Sequence, residues 1–185
     1  YRCYNKDEVV HTDNVTGKSG EKIAYTTETV LKSLIEKGYL LQKDGFPTDA
    51  TFDTDETKVQ DYTVLLKHKI TVKKDVPKVV ERTIHYVFAD GTKASEDHHD
   101  QVSFSRMLSI DNVTGKTTST SWVSEDGVTS FDEVVSPTIA GYNPDLAKVD
   151  SVQGITAETG NQVVTVTYRN VQPIPQVTPT RSEEH

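Results

Sequence analysis

An α+β, β-rich chain made of two tandem units is the fold the sequence predicts, and three observations carry it. The hexapeptide DNVTGK occurs twice, at Asp13–Lys18 and at Asp111–Lys116. A Gly-Tyr pair recurs as Gly38-Tyr39 and Gly141-Tyr142, and an alternating run recurs as Tyr62, Val64, Leu66 and Val164, Val166, Tyr168. Landmarks repeated in one order mark a duplicated unit rather than chance turn composition. In each hexapeptide the Asn tolerates a left-handed backbone and the Gly carries no side chain to clash, so both copies read as tight turns between strands.

In the first unit, Val9 and Val10 lead into the turn and Lys22–Tyr25 return from it, which predicts a hairpin. The apolar period then changes. Val30, Leu31, Leu34 and Ile35 fall on one helix face, with Thr26 or Thr27 as cap and Gly38 placed to end the helix. Tyr39–Leu41 reads as a short strand, Asp44-Gly45 as a turn, 47–58 as a polar loop and 60–72 as one long strand. Strand, strand, helix, strand, loop, strand is the order of a ubiquitin-like β-grasp.

The segment 73–80 is charged, contains Pro77 and is too short for a free tether. A nearly continuous strand from the first unit to the second, and hence an elongated rod, is expected. Ile84, Tyr86 and Phe88 share one strand face before the Asp90-Gly91 turn, and Glu96–Asp100 reads as a solvated hairpin loop. Val102, Phe104, Leu108 and Ile110 run toward the second DNVTGK, and 117–123 departs from it. Ser130 and Glu133 have capping-box spacing, but Pro137 limits any helix to about two turns. A Val/Thr-rich strand at 163–169 closes the unit. The domains predicted are 1–75 and 76–170, both β-grasp, followed by a Pro-rich linker or chain end at 171–185.

Composition narrows the function. A net charge of −8 repels phosphate backbones and anionic membrane surfaces. No apolar run approaches the roughly 20 residues a membrane span needs, and no signal peptide is legible. The single Cys3 has no internal partner and no adjacent base. With 28 Asp and Glu residues, neighbours such as Asp132 and Glu133 arise without function, and no pair is set to flank a cleft, so an enzyme is not expected. Adjacent His98 and His99 rarely converge on one ion. Asp53 and Asp55, at alternate positions, would suit calcium with backbone carbonyls, although the EF-hand Gly and terminal Glu are missing. No cofactor is otherwise required. Sugar recognition calls for rings that stack on the apolar face of a saccharide, which makes Trp122 and Tyr142 the candidate ligand contacts. Against this, Trp122 among Ser and Thr on a strand reads more readily as a core anchor.

The pieces TIHYVFADGTKASED, VSFSR, DNVTGK, Trp122, FDEVVSPTIAGYNPD and VVTVTY follow one another over Arg82–Asn170. In that order they resemble the mucin-binding (MucBP) domains of surface adhesins from Gram-positive gut bacteria. With the segment before it, the whole resembles one repeat of a lactobacillus-type mucus-binding protein. The resemblance implies an extracellular, wall-attached chain of repeats, each monomeric, binding mucin glycoproteins weakly and multivalently. The first half keeps the turn, the Gly-Tyr pair and the closing strand but has no counterpart of the hairpin at Ile84. Two other readings stand beside it. A β-grasp sheet edge could bind immunoglobulin or another host protein, and the repeats could be spacers in a surface stalk.

Overall fold

The computed structural model describes residues 1–55 and 59–171. Of the predicted Pro-rich tail, all but Val171 lies outside the described residues. Two compact units emerge: unit 1 is Tyr1–Asp75 with Met107–Thr120, and unit 2 is Val76–Arg106 with the chain from Ser121 onward. The hairpin bearing the second DNVTGK therefore folds with unit 1, although its sequence lies within 76–170.

In chain order the first elements are β1 (Arg2–Cys3), β2 (Glu8–Val9), α1 (Glu28–Glu36), β3 (Tyr39–Asp44), β4 (Val64–His68) and β5 (Ile70–Lys74). Then come β6 (Lys78–Phe88), β7 (Lys93–Ser105), β8 (Met107–Asp111) and β9 (Thr117–Ser119). The remainder are β10 (Val123–Ser124), β11 (Val134–Val135), β12 (Tyr142–Pro144), β13 (Lys148–Val149) and β14 (Gln162–Asn170). Among the described residues the fold is β-rich with one short helix, and no helix there is long and apolar enough to cross a membrane.

Unit 1 has a sheet of order β2-β1-β4-β3, in which β1 and β4 run parallel and the outer pairings are antiparallel. The helix lays Leu34, Val30 and Leu31 against Cys3, Tyr39, Val64 and Leu66, while Ile35 turns out to solvent. Thr27 stands at the helix start, yet its hydroxyl donates to Asp44 Oδ2 at 2.5 Å instead of capping the helix N–H groups. Gly38, at φ +99°, takes the left-handed conformation that stops the helix.

Two expectations for this unit fail. The predicted hairpin around Asp13–Lys18 does not form: β2 pairs with β1, Lys22 bridges Thr51, and residues 12–20 are exposed. The predicted strand 60–72 is instead two strands. At Lys69 the N–H donates to the Gly38 carbonyl (2.8 Å) and the C=O accepts from the Asn112 N–H (2.9 Å), after which β5 leaves to pair with β8 in a sheet of order β5-β8-β9.

Unit 2 has a sheet of order β10-β7-β6-β14-β12 with β6 and β14 parallel. Period-two alternation sends Val80, Arg82, Ile84 and Tyr86 of β6 inward. Behind them lie Phe131, Val149, Ile155, Val166 and Tyr168. The predicted loop at Glu96–Asp100 is part of β7, with His98 paired opposite Ile84 and Asp100 opposite Arg82. The short helix expected after Ser130 is absent among the described residues. Phe131 bridges Val152, and the β-branched pair Val134-Val135 forms β11 against β13, so long-range pairing overrides the capping-box spacing.

The duplicated Gly-Tyr pair holds one structural place in both units. Tyr39 pairs with His68 and Tyr142 with Asn170, each at the end of the closing strand. The next residue along donates its N–H back to the glycine carbonyl: Lys69 to Gly38 at 2.8 Å and Val171 to Gly141 at 3.0 Å.

Candidate functional site

The loop segments 10–27, 45–55 and 59–63 of unit 1 carry little regular structure, and aromatic rings hold them together. Ile23 N–H donates to Ala50 C=O at 2.8 Å and Phe52 N–H to Glu21 C=O at 2.9 Å, which brings the two loops side by side. Gly17 lies against the Phe52 ring so closely that a Cβ there would sit 2.1 Å from a ring carbon. This pairing lines up three rings far apart in sequence. Phe46 meets Tyr25 and Tyr62 edge to face, at centroid distances of 5.5 and 5.3 Å.

Polar groups flank both ends of this ridge. At one end Tyr25 Oη donates to Asp13 Oδ2 at 2.5 Å, Tyr1 and Tyr25 share a hydroxyl contact of 2.7 Å, and His11 Nε2 lies 2.8 Å from Asp13 Oδ1. At the other end Gln60 Nε2 donates to Tyr62 Oη (3.2 Å) and to the Thr51 carbonyl (3.1 Å), while its Oε1 accepts from Asp53 N–H (3.0 Å). Asp44 Oδ1 accepts from Phe46 N–H at 3.0 Å. Hydrogen bonds from Tyr25 and His11 hold the Asp13 carboxyl below its usual range, so it is an acceptor at neutral pH. Burial, reinforced by Asp13 and Tyr1, pushes the Tyr25 hydroxyl well up, so it stays a donor.

The residues singled out from sequence occupy other settings. Trp122 is half-buried beside the Phe131 cluster of unit 2, and the Arg106 guanidinium lies over its ring at 4.3 Å. Tyr142 is half-buried in β12 with its ring 4.7 Å from that of Phe88. Asp53 is exposed and Asp55 half-buried in the loop at the Gln60 end of the ridge. Among the described residues no group of three or more His, Cys, Asp or Glu side chains converges as a metal site would. Sequence reasoning missed Tyr25, Phe46 and Tyr62. Their one legible signal was aromatic residues recurring in an otherwise polar stretch rich in Thr, Asp and Gly.

A model of the Muc B2-like domain matches residues 71–172, and a model of a mucin binding domain matches residues 4–68. The chain belongs to the mucin-binding domain family. It is similar to the crystal structure of Mub-RV, at 28% identity and a TM-score of 0.79, over 93% of this chain and 96% of that one. It is also similar to the type 2 repeat of the mucus binding protein MUB from Lactobacillus reuteri, at 34% identity and a TM-score of 0.55, over 92% and 96% of the two chains. The mucin-binding domain of a Streptococcus pneumoniae protein matches at 28% identity and a TM-score of 0.50, over 56% of this chain and 99% of that one. A search of curated proteins returned no match.

In this member of the mucin-binding domain family, the ridge combines what saccharide recognition needs. Rings offer apolar surface to the C–H face of a sugar, and fixed carboxylate, hydroxyl and amide groups exchange hydrogen bonds with its hydroxyls. Tyr62 keeps 38% of its surface in solvent and stands at the accessible end.

Proposed function

We propose that the chain is an adhesin repeat, displayed outside a Gram-positive cell and attached to its wall, that binds mucin glycoproteins weakly and in many copies without catalysis. The observation that carries the reading is the Tyr25–Phe46–Tyr62 ridge with Asp13 and Gln60 at its ends, in a chain whose solved relatives include a repeat of a mucus binding protein. Two tandem β-grasp domains, 1–75 and 76–170, are the architecture this reading uses. Parallel pairing of the first strand of each with a late one, β1 with β4 and β6 with β14, supports it. Carboxylates along the ridge favour neutral, hydroxyl-rich sugars over sialylated or sulfated ones, because like charges repel. Trp122 and Tyr142 supply the ring contacts of unit 2 in the same scheme. Calcium bound by Asp53 and Asp55 would make binding sensitive to chelator.

The deciding experiment is surface binding of the chain to purified mucin before and after enzymatic deglycosylation. Loss of binding on deglycosylation supports the sugar-reading ridge, and undiminished binding overturns it. A second reading has its own observation: β3 is a sheet edge, with Leu40 and Leu41 exposed on it and Ile35 exposed on α1. Such an edge adds a strand from a host protein such as immunoglobulin through backbone hydrogen bonds, which deglycosylation leaves intact.

A further inference from the structure

Of the two identical hexapeptides, one is seated and the other is not. In the turn at Asp111–Lys116, Asp111 Oδ1 accepts from the N–H groups of Val113 (2.9 Å) and Thr114 (3.1 Å), closing an Asx-type turn. Asn112 donates to the Lys69 carbonyl from both its backbone N–H and its Nδ2, each at 2.9 Å. The Asn112 carbonyl presses on Gly38 so closely that a Cβ there would lie 2.3 Å away. Val113 packs against the unit 1 core, and Asp111 Oδ2 meets His68 Nδ1 at 2.6 Å. The seat is thus Gly38, Tyr39, His68 and the carbonyl of Lys69.

Unit 2 repeats this seat in Gly141, Tyr142, Asn170 and Val171, with the same strand register and the same N–H bond back to the glycine carbonyl. Gly141 shares the left-handed backbone of Gly38, at φ +84°, but among the described residues nothing stands within 4 Å of a Cβ built there. Unit 1 in turn repeats the hexapeptide at an equivalent point, since 13–18 follows β2 as 111–116 follows β7 and β8. Both β2 and β7 are antiparallel partners of the strand that pairs parallel with the closing strand, so β1 and β2 hold the place of the Ile84 hairpin for which the sequence showed no counterpart. Asn14 and Val15 are exposed, Val15 by 44%, where Val113 is packed. One chain therefore holds an open seat and an unseated turn of matching sequence.

We propose that the Gly141–Tyr142 and Asn170–Val171 seat of one copy receives the Asn14–Val15 turn of a second copy, joining successive repeats head to tail. The inference rests on reading the chain as one of several repeats. Asn14 takes the role of Asn112 toward the carbonyl of half-exposed Val171, and the Asn170 amide replaces His68 as donor to Asp13. Seating requires Asp13 to exchange its bonds to Tyr25 and His11 for those of the turn, and Gly17 to leave the Phe52 ring. The contact is correspondingly weak and forms between copies held at an effective concentration of about a millimolar by their linker.

The test is amide NMR of a chain in which two copies are joined end to end. In that chain the first copy's seat is filled and the second copy's is not, so Gly141, Tyr142 and Val171 give two sets of peaks. Asn14→Ala in the second copy collapses them toward one set, whereas Asn14→Ala in the first copy leaves them split. Residue 14 is exposed, so neither variant endangers folding. One set of peaks in the unsubstituted chain, or splitting that is indifferent to which copy carries Asn14→Ala, overturns the proposal. No mucin enters the experiment, so its failure is separate from failure of the adhesin reading.

Discussion

Arg82, with no surface in solvent, donates from both Nε and Nη2 to a single oxygen of Asp100, at 2.9 and 2.5 Å. Nη2 donates also to the carbonyl of Asp132 (2.6 Å) and Nη1 to that of Asp150 (3.1 Å), and the guanidinium lies 5.1 Å from the centre of the Phe131 ring. One cation thereby ties β6, β7 and the chain segments around 131 and 150 into the unit 2 core. Asp100→Ala strands a buried charge and is expected to cost about 3–5 kcal/mol. Arg82→Met should cost less, because the Asp100 side chain keeps 22% of its surface in water and can be rehydrated when its partner is lost. Trp122, the only tryptophan, lies in unit 2 and reports both in urea unfolding followed by fluorescence. A larger loss for Arg82→Met than for Asp100→Ala would contradict this account.

What the sequence disclosed follows the range of the forces involved. Helix α1 was legible because Val30, Leu31 and Leu34 keep a helical period and Gly38 ends it, both local facts. Strands β6 and β14 were legible for the same reason, through alternation. The hairpin expected at Asp13–Lys18 was misread because Asn and Gly mark a turn without saying which strands flank it, and Lys22 finds its partner in Thr51. Ser130 and Glu133 misled in the same way, since Phe131 is committed to Val152. The ridge was illegible: Tyr25, Phe46 and Tyr62 converge through the contact between Glu21–Ile23 and Ala50–Phe52. Trp122 drew notice by rarity, and its half-buried place under Arg106 is a tertiary fact.

Gly38 and Gly141 have the same backbone hand and different surroundings, so one substitution separates strain from steric conflict. Alanine at either position in the left-handed region costs roughly 1–2 kcal/mol. At Gly38 it also meets the Asn112 carbonyl and the Val113 nitrogen, both backbone atoms that cannot swing aside. Gly38→Ala is therefore expected to lower the melting temperature of unit 1 markedly more than Gly141→Ala lowers that of unit 2. Equal shifts in calorimetry would mean that the Asn112 turn is not held against Gly38.

The acid limb of stability should belong largely to Asp111. The hydrogen bond from His68, followed by the N–H groups of Thr114 and Val113, holds its carboxyl down to about 2 in the folded chain. A carboxyl depressed on folding stabilises the fold fully above its unfolded value of about 3.9 and loses that contribution as pH falls toward 2. Urea unfolding of unit 1 between pH 5 and pH 2 is thus expected to show stability falling with pH. In Asp111→Asn the slope flattens and the unit starts from a lower stability at neutral pH. A slope unchanged by the substitution would assign the acid limb to other carboxyls.

Sugar recognition at the ridge is most cleanly tested at Tyr62. Its ring is the most exposed of the three, and its hydroxyl contact is to half-buried Gln60 outside the core cluster, so truncation disturbs the core less than it would at Phe46. A ring lost from a stacking contact is worth about 1 kcal/mol, or roughly fivefold in affinity. Tyr62→Ala is expected to weaken mucin binding by about that factor per site, and more for a multivalent chain, where losses compound across copies. Tyr62→Phe keeps the stacking face and should retain most of the binding. Asp13→Asn tests the polar end by removing the charge at nearly constant volume. If the carboxylate repels acidic sugars, that variant gains affinity for sialylated mucin relative to desialylated mucin. Binding unmoved by Tyr62→Ala, measured with circular dichroism unchanged, would shift the contact away from the ridge to Trp122 and Tyr142 of unit 2.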